Sequence, residues 1–524
     1  MKLIEFPSEL VVFSNRIDSH WQTKLRTILS EKQARISELT LKDWYSELKV
    51  ILSSEEKLPS TLWAIAAKLA WLQADVSFFI DHSDVIKEVR DEPLFLCYFG
   101  AGISEFLDLK KGLDLIEEGI SHLESSQDSH ALFDISIPYI LILNNSNNKD
   151  SLRKFYHKID QLFEEKKSEI EFNYHQLITT FNCCKIFALE KKSEKENLKE
   201  TLQIALKNQH HLIAGLVYSS LAKWEEEFSY QKNMEACMEQ YQIINARLRT
   251  IIAYTNYAHF LSSKARYEES SRYLSKAFKL AEKIIKSPED GPGLYIYPLT
   301  QKAWMQIEQG KLNEALETLQ LALGNAKNYN SNYYQIKIEY GIAYVFFLLM
   351  KYDLSLNHAE NALSLTEKLP TKQLQCTYRL EYADILTDLN KFNEVENILK
   401  TIDPNDLEGC SKVQYDYVKG KLELNRHNLG TSKHHFERAI NNIEKCSHLK
   451  PLLLFTLSEE YIREFRLSED PKILQEAQEM IEEGLKGIHD VPTLTKGKII
   501  SAILLSAQDR HEEAEEILES LISP

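Results

Sequence analysis

The sequence predicts an all-α fold, a solenoid of stacked helical hairpins, and three observations carry the prediction. The first is a recurring pattern in the C-terminal half. Tyr267–Ser270–Leu274–Ala277 follows Ala258, Leu312–Ala315–Leu319–Ala322 follows Ala303, and Tyr352–Ser355–Ala359–Ala362 follows Ala343. One hairpin cannot bury its apolar face alone, so a period of this kind means stacked neighbours. The second is the scarcity of breakers: 16 Gly and 13 Pro in 524 residues favour long helices over many strands. The third is helical spacing in the N-terminal half, at Trp21/Leu25/Ile28, Trp44/Leu48 and Trp63/Ala67/Trp71.

Residues 1–240 read as diverged helical hairpins extending the same stack, with a separate helical domain as the alternative. One degenerate repeat is visible there, Phe99-Gly100 followed by Gly112, Ile116 and Gly119. Trp224-Glu225-Glu226-Glu227 reads as the exposed turn of a further helix. Two polar stretches, Asn144 to Asp150 and Glu190 to Glu196, are the internal breaks. Residues 241–524 form the regular part. Its aligned small positions are Ser270, Ala315, Ser355, Val395, Ser432, Ala477 and Ala514, with gaps of 45, 40, 40, 37, 45 and 37 residues. The first long gap holds the turn signal Ser287-Pro-Glu-Asp-Gly-Pro-Gly293. The second holds Arg466 to Pro471, where Ser468 or Asp470 caps a helix opened by Pro471.

These positions resemble the tetratricopeptide repeat. The match is clearest at Ala258/Tyr267/Ala277, Ala303/Gly310/Ala315/Ala322 and Ala343/Tyr352/Ala362, and it continues at Ala383/Phe392/Leu399, Gly420/Phe436/Ala439 and Ala502/Ala514/Leu518. The resemblance implies a right-handed superhelical α-solenoid with a concave groove lined by the first helix of each hairpin. The spacing departs from the family's 34 residues, and the helix-ending proline is mostly missing, with only Pro370 and Pro404 near such boundaries. Both departures suit longer helices, as in the peptide receptors and sensor arms of bacterial regulators.

Composition narrows the function. The net charge is −16, from 62 basic and 78 acidic residues, which repels a polyphosphate partner at long range and argues against nucleic acid, although a local basic patch remains compatible with it. The seven cysteines, Cys97, Cys183, Cys184, Cys237, Cys376, Cys410 and Cys446, show no C-x-x-C spacing and read as reduced thiols packed in the core. Met1 to Phe13 offers no clean signal-peptide core, and the longest apolar run, Tyr340 to Met350, is too short to span a bilayer. A cytoplasmic protein without membrane contact is expected. No P-loop, G-x-S-x-G or zinc-protease spacing occurs, and the first 60 residues contain no basic recognition helix. No catalytic residue, cofactor or metal is therefore expected. The pairs His210-His211 and His434-His435, with His427 nearby, sit side by side and point about 100° apart on a helix, so they do not chelate as i, i+4 residues do, and His434 and His435 fall on a second helix, whose outer side is expected to face solvent. Glu459-Glu460, Glu482-Glu483 and Glu512-Glu513 read as solvated helix faces.

Carried over residue by residue, the resemblance places Thr255 and His259, then Tyr297, Thr300 and Trp304, then Tyr340, Tyr344 and Phe347 on the groove. Aromatics with a polar tip are rigid anchors of the kind that dominate binding hot spots. Asp384 and Asp388 from the fourth repeat and Lys421 and Asn425 from the fifth fall on corresponding positions, suited to a peptide backbone or terminus. Asn256 stands at a position of the chaperone-binding carboxylate clamp, without the clamp's basic partners. The expectation is a non-enzymatic scaffold that takes a protein or extended peptide in this groove. Two alternatives stand beside it: a ligand-responsive sensor of the Rap or PlcR type without a DNA-binding domain, and an enzyme with its site in residues 1–240.

Overall fold

The computed structural model describes residues 7–14, 16–33, 39–53, 58–166, 182, 195–223, 227–369 and 371–522. Trp224, the pair Cys183 and Cys184, and residues 190–194 lie outside them. Twenty-five α-helices follow one another through the described residues, with no strand among them. The chain divides into two compact units. One comprises Met1–Phe260, Glu268–Pro298 and Gly324–Ser331, and the other Leu261–Tyr267, Leu299–Leu323 and Asn332–Pro524.

The C-terminal helices come in seven hairpins. They are Arg247–Ser263 with Tyr267–Ile284, Pro292–Glu308 with Leu312–Asn328, Asn332–Leu348 with Tyr352–Thr366, and Lys372–Asp388 with Phe392–Lys400. Cys410–Asn425 with Leu429–Ile440, Lys450–Ser468 with Pro471–Leu485, and Val491–Ala507 with His511–Ile522 complete the set. All seven aligned small residues lie on the second helix of a hairpin, and all are buried. The twelve-residue offset has a direct cause at two of them. Ser270 Oγ donates to the Ala258 carbonyl at 2.7 Å, and Ser355 Oγ to the Ala343 carbonyl at 2.8 Å. A small side chain lets the two helices approach, and the hydroxyl satisfies itself on the facing backbone.

Six of the seven hairpins turn by the same device. Two residues past the first helix stands a left-handed residue: Ala265, Gly310, Met350, Asn390, His427 or Asp509. The amide of the next residue then bonds back five positions, as in Arg266 N to Leu261 O, Lys351 N to Phe346 O and Lys391 N to Leu386 O, each 2.9 Å. This closes the helix end by the Schellman pattern. Only Gly310 is a glycine, so a non-glycine side chain carries left-handed strain of about 1–2 kcal/mol at the others. Met350 is 73% exposed and makes little compensating contact. Met350→Gly should therefore stabilise the fold by about 0.5 kcal/mol, after the extra chain entropy of glycine (about 0.5–1 kcal/mol) is subtracted. Urea unfolding followed by far-UV circular dichroism reads the shift.

The loop signals resolve as follows. Ser287 caps a short 3-10 turn at Pro288–Asp290, and the next helix begins at Pro292. Of the two capping candidates near Pro471, Asp470 is the cap, accepting from the Lys472 amide at 3.0 Å, while Ser468 ends the preceding helix.

In the first unit, Pro93–Gly102 and Leu109–Ser125 form the hairpin anticipated at Gly100 and Gly112. A π-helical turn, Ile103–Leu107, joins them. A Cβ on Gly112 would stand 2.3 Å from the Ser104 amide nitrogen and 2.5 Å from the Gly100 carbonyl oxygen, so the helices meet backbone to backbone. Two buried ion pairs add specific contacts. Lys68 Nζ binds Asp134 at 2.7 Å, and Tyr98 donates to the same carboxylate. Glu105 pairs with Arg249 and accepts from Trp71 Nε1 at 2.7 Å. Removing one member of such a pair strands a buried charge.

Candidate functional site

In the second unit, Asn332–Leu348, Lys372–Asp388 and Cys410–Asn425 are first helices of consecutive hairpins, and each packs on the next. Their side chains form one polar and aromatic stripe. Tyr333, Lys337, Tyr340 and Tyr344 stand at helical spacing on the first helix, and all are half-buried. Tyr378, Glu381, Asp384 and Asp388 stand on the second, Tyr417 and Lys421 on the third.

The charges along this stripe are unequally satisfied. Lys421 is 4% exposed, and its ammonium lies 2.5 Å from Asp384 and 2.7 Å from Asp388, 5.3 Å above the Tyr417 ring. Burial alone would lower its pKa, but the two carboxylates outweigh that and hold it well above the ordinary value. Asp384 is itself raised, by burial first, with Lys421 opposing. Lys421 and Asp384 were expected to grip a ligand; the structure instead commits the lysine to two carboxylates of its own chain.

One turn upstream the situation reverses. Glu381 Oε2 is shut from solvent and has no hydrogen-bond partner. Burial pushes the carboxyl up to about 8, with Lys337 pulling it down and Asp384 adding to the rise. Lys337 is lowered by burial, with Glu381 opposing, and among the described residues no carboxylate stands at ion-pair distance from it. Tyr340 is raised well above its ordinary value, by burial first and then by Glu381, Asp384 and Asp388. Tyr333 and Tyr378 flank the pair, packed around Ile336 and Leu369. Glu381 and Lys337 thus act on each other through space without an ion-pair contact, in a row of half-buried tyrosines.

The raised carboxyls make a pH prediction. A folded-state value of about 8 for Glu381 and about 7 for Glu460, both driven first by burial, lies above the unfolded carboxylate value. The stability they lend is complete below that unfolded value and is lost as pH rises through 7 to 8. The urea midpoint should fall between pH 6 and pH 9, and Glu381→Gln should flatten that fall.

The remaining expected residues are distributed as follows. Trp304 and Tyr344 pack with ring centroids 6.3 Å apart, and Phe347 packs on Tyr352 at 5.9 Å. Thr255 and Thr300 are fully buried; Thr255 donates to the Ile251 carbonyl within its own helix at 2.8 Å. They present no surface to a partner, because a small β-branched residue at these positions faces the neighbouring helix. His259 is exposed. Tyr297 donates to Asn256 Oδ1 at 2.5 Å, so the clamp-like asparagine is held within the chain.

Lys337 and Glu381 were missed because the family register carried over from the repeat begins the stripe at Tyr340. The stripe continues one turn toward the helix start, at i−3 from Tyr340 and Asp384. Three other readings are corrected. Cys410 and Cys446 are joined as a disulfide, because the start of one helix meets a kinked segment, whereas Cys97, Cys237 and Cys376 are free and buried. His448 lies 3.8 Å from Cys446 Sγ. His435 is buried, not solvent-facing, 3.1 Å from Asp416. Glu460, read as part of a solvated face, is buried and accepts from Ser432 Oγ at 2.9 Å.

Hairpins closed by small residues twelve positions apart define an all-α protein of stacked helical hairpins. No family model and no curated protein matches the chain. Among solved structures it is similar to a human IFIT1 dimer with m7Gppp-AAAA, at 12% identity over 92% of this chain and 94% of that one, with a TM-score of 0.41. It is also similar to a Rap protein complexed with competence and sporulation factor, at 12% identity over 74% and 99%, TM-score 0.40. A third is the APC/C hetero-tetramer Cut9–Hcn1, at 11% identity over 98% of each chain, TM-score 0.39. No helix among the described residues is long and apolar enough to cross a membrane.

Proposed function

We propose that the protein is a binding module that captures an extended peptide segment of a partner protein along the Tyr333–Tyr344 and Tyr378–Asp388 stripe. One observation carries the reading: a half-buried Glu381 carboxyl and a half-buried Lys337 ammonium, with no ion-pair contact among the described residues, set in a row of half-buried tyrosines. A peptide backbone supplies both complements at once. Its N–H donates to Glu381, its carbonyl or terminal carboxylate accepts from Lys337, and its side chains lie on the tyrosine rings. Neutral Glu381 near pH 7 can also donate to a backbone carbonyl, which suits an uncharged main chain better than a cationic ligand.

The test is selection from a displayed library of random linear peptides on the immobilised full chain. A recurring sequence motif among the selected peptides supports the reading; no enrichment over uncoated support contradicts it. Small-angle scattering with a selected peptide separates two modes of action. An unchanged radius of gyration marks a preformed scaffold, and compaction marks a sensor whose repeat pitch follows the ligand.

A further inference from the structure

In the first unit, a cavity of about 340 Å³ opens between Arg247–Ser263 and Tyr267–Ile284. One wall carries Arg247, Thr250 and Tyr254 at i, i+3 and i+7. The other carries Lys276, Lys279 and Lys283 at the same spacing, and Gln242 and Asn245 close one end. Four of the nine lining residues are cationic and none is acidic, in a chain whose net charge is −16.

These cations are not neutralised by any of the described residues. No ion pair involves Arg247, Lys276, Lys279 or Lys283 among the described residues. Arg247 Nε contacts only the neutral Asn245 Oδ1, at 3.4 Å. The Lys276 ammonium sits 4.2 Å from the Tyr273 ring and 5.8 Å from the Tyr254 ring, an arrangement that positions the charge without cancelling it. The three acidic residues of the same helix, Glu268, Glu269 and Glu282, do not line the cavity, and Glu268 pairs with Arg272 at 3.9 Å. A plain solvated helix face would interleave both signs. Here one sign is gathered in a concavity, where mutual repulsion costs stability and an anion relieves it.

We infer that this cavity binds a small anion bearing two or more phosphates. Each wall runs about 10 Å at 1.5 Å per residue, too long for one phosphate to engage both ends. A chain of phosphates can reach Arg247 and the three lysines together, with the second amide hydrogens of Gln242 and Asn245 as neutral donors, while the Thr250 hydroxyl is committed to the Ala246 carbonyl at 3.0 Å. The Tyr254 ring offers a surface for a base or sugar if the phosphates belong to a nucleotide. This site is independent of the peptide stripe, and neither stands or falls with the other.

Calorimetric titration of the full chain in phosphate-free, low-salt buffer tests it, with tripolyphosphate, inorganic phosphate and ATP as probes. Tripolyphosphate should bind at least tenfold more tightly than phosphate, and Lys279→Glu with Lys283→Glu should weaken it at least tenfold. Lys472→Glu, on an exposed helix start in the second unit, should leave it unchanged. ATP tighter than tripolyphosphate identifies a nucleotide resting on Tyr254, and equal affinities identify a free polyphosphate; both sustain the inference. Absence of tripolyphosphate binding, equal binding of phosphate and tripolyphosphate, or indifference to the paired charge reversal overturns it. So does tighter binding of poly-glutamate or of a single-stranded RNA lacking a terminal phosphate, since either would mark a macromolecular surface.

Discussion

Tyr340→Ala and Lys337→Glu should each weaken a selected peptide by roughly 30-fold, while the far-UV helical signal stays at the wild-type level. The first substitution removes an aromatic anchor from the centre of the stripe, and truncating such an anchor typically costs about 2 kcal/mol or more. The second acts without removing packing area. Lys337 is half-buried, and among the described residues no carboxylate stands at ion-pair distance from it, so reversing its sign breaks no contact ion pair there, though it removes the charge that pulls Glu381 down. It does place a second carboxyl beside Glu381, whose value burial already pushes up to about 8. Peptide carbonyls lose their donor, and a terminal carboxylate is repelled. Lys421→Met is the informative comparison. It leaves Asp384 and Asp388 uncompensated, so its cost should fall on stability first. Fluorescence anisotropy with a labelled peptide separates the two kinds of effect.

Gly112→Ala should destabilise the protein by about 2–3 kcal/mol, whereas Gly324→Ala should stabilise it by about 1 kcal/mol. Both glycines lie inside helices, and propensity alone favours alanine at each by about 1 kcal/mol. Their surroundings decide the sign. A Cβ at 112 would lie 2.2 Å from Ser104 Oγ and 2.3 Å from the Ser104 amide nitrogen. The second of these is backbone and cannot swing aside, so the hairpin must open. Gly324 has nothing within 4 Å of a built Cβ, and only the propensity gain remains. Urea midpoints of the two variants, compared with wild type at one pH, give the two signs.

The fold was legible because helix-on-helix packing writes itself as spacing. Ala258 and Ser270, or Ala343 and Ser355, sit twelve apart because a serine hydroxyl reaches one carbonyl across the hairpin. The same logic found Gly100 and Gly112 in the weaker N-terminal half. The turns were less legible. Their left-handed residues at Ala265, Met350, Asn390, His427 and Asp509 carry no glycine signature, since the closing backbone bonds hold the conformation whatever the side chain.

The stripe was partly legible. Tyr340, Tyr344 and Asp384 were readable from the repeat register, and they do lie together. Pairing across helices was not readable: no spacing announces that Lys421 belongs to Asp384 and Asp388, or that Lys337 and Glu381 are left over. Which charge is occupied and which is free depends on three helices at once. The basic cavity was hidden for a related reason, because whole-chain charge averages over patches of opposite sign.

Hydrogen exchange of the full chain with and without a selected peptide tests the central claim most directly. Capture along the stripe predicts slowed exchange in Asn332–Leu348 and Lys372–Asp388, absent in the Lys337→Glu variant. Protection confined to other helices, or protection that survives Lys337→Glu unchanged, would contradict it.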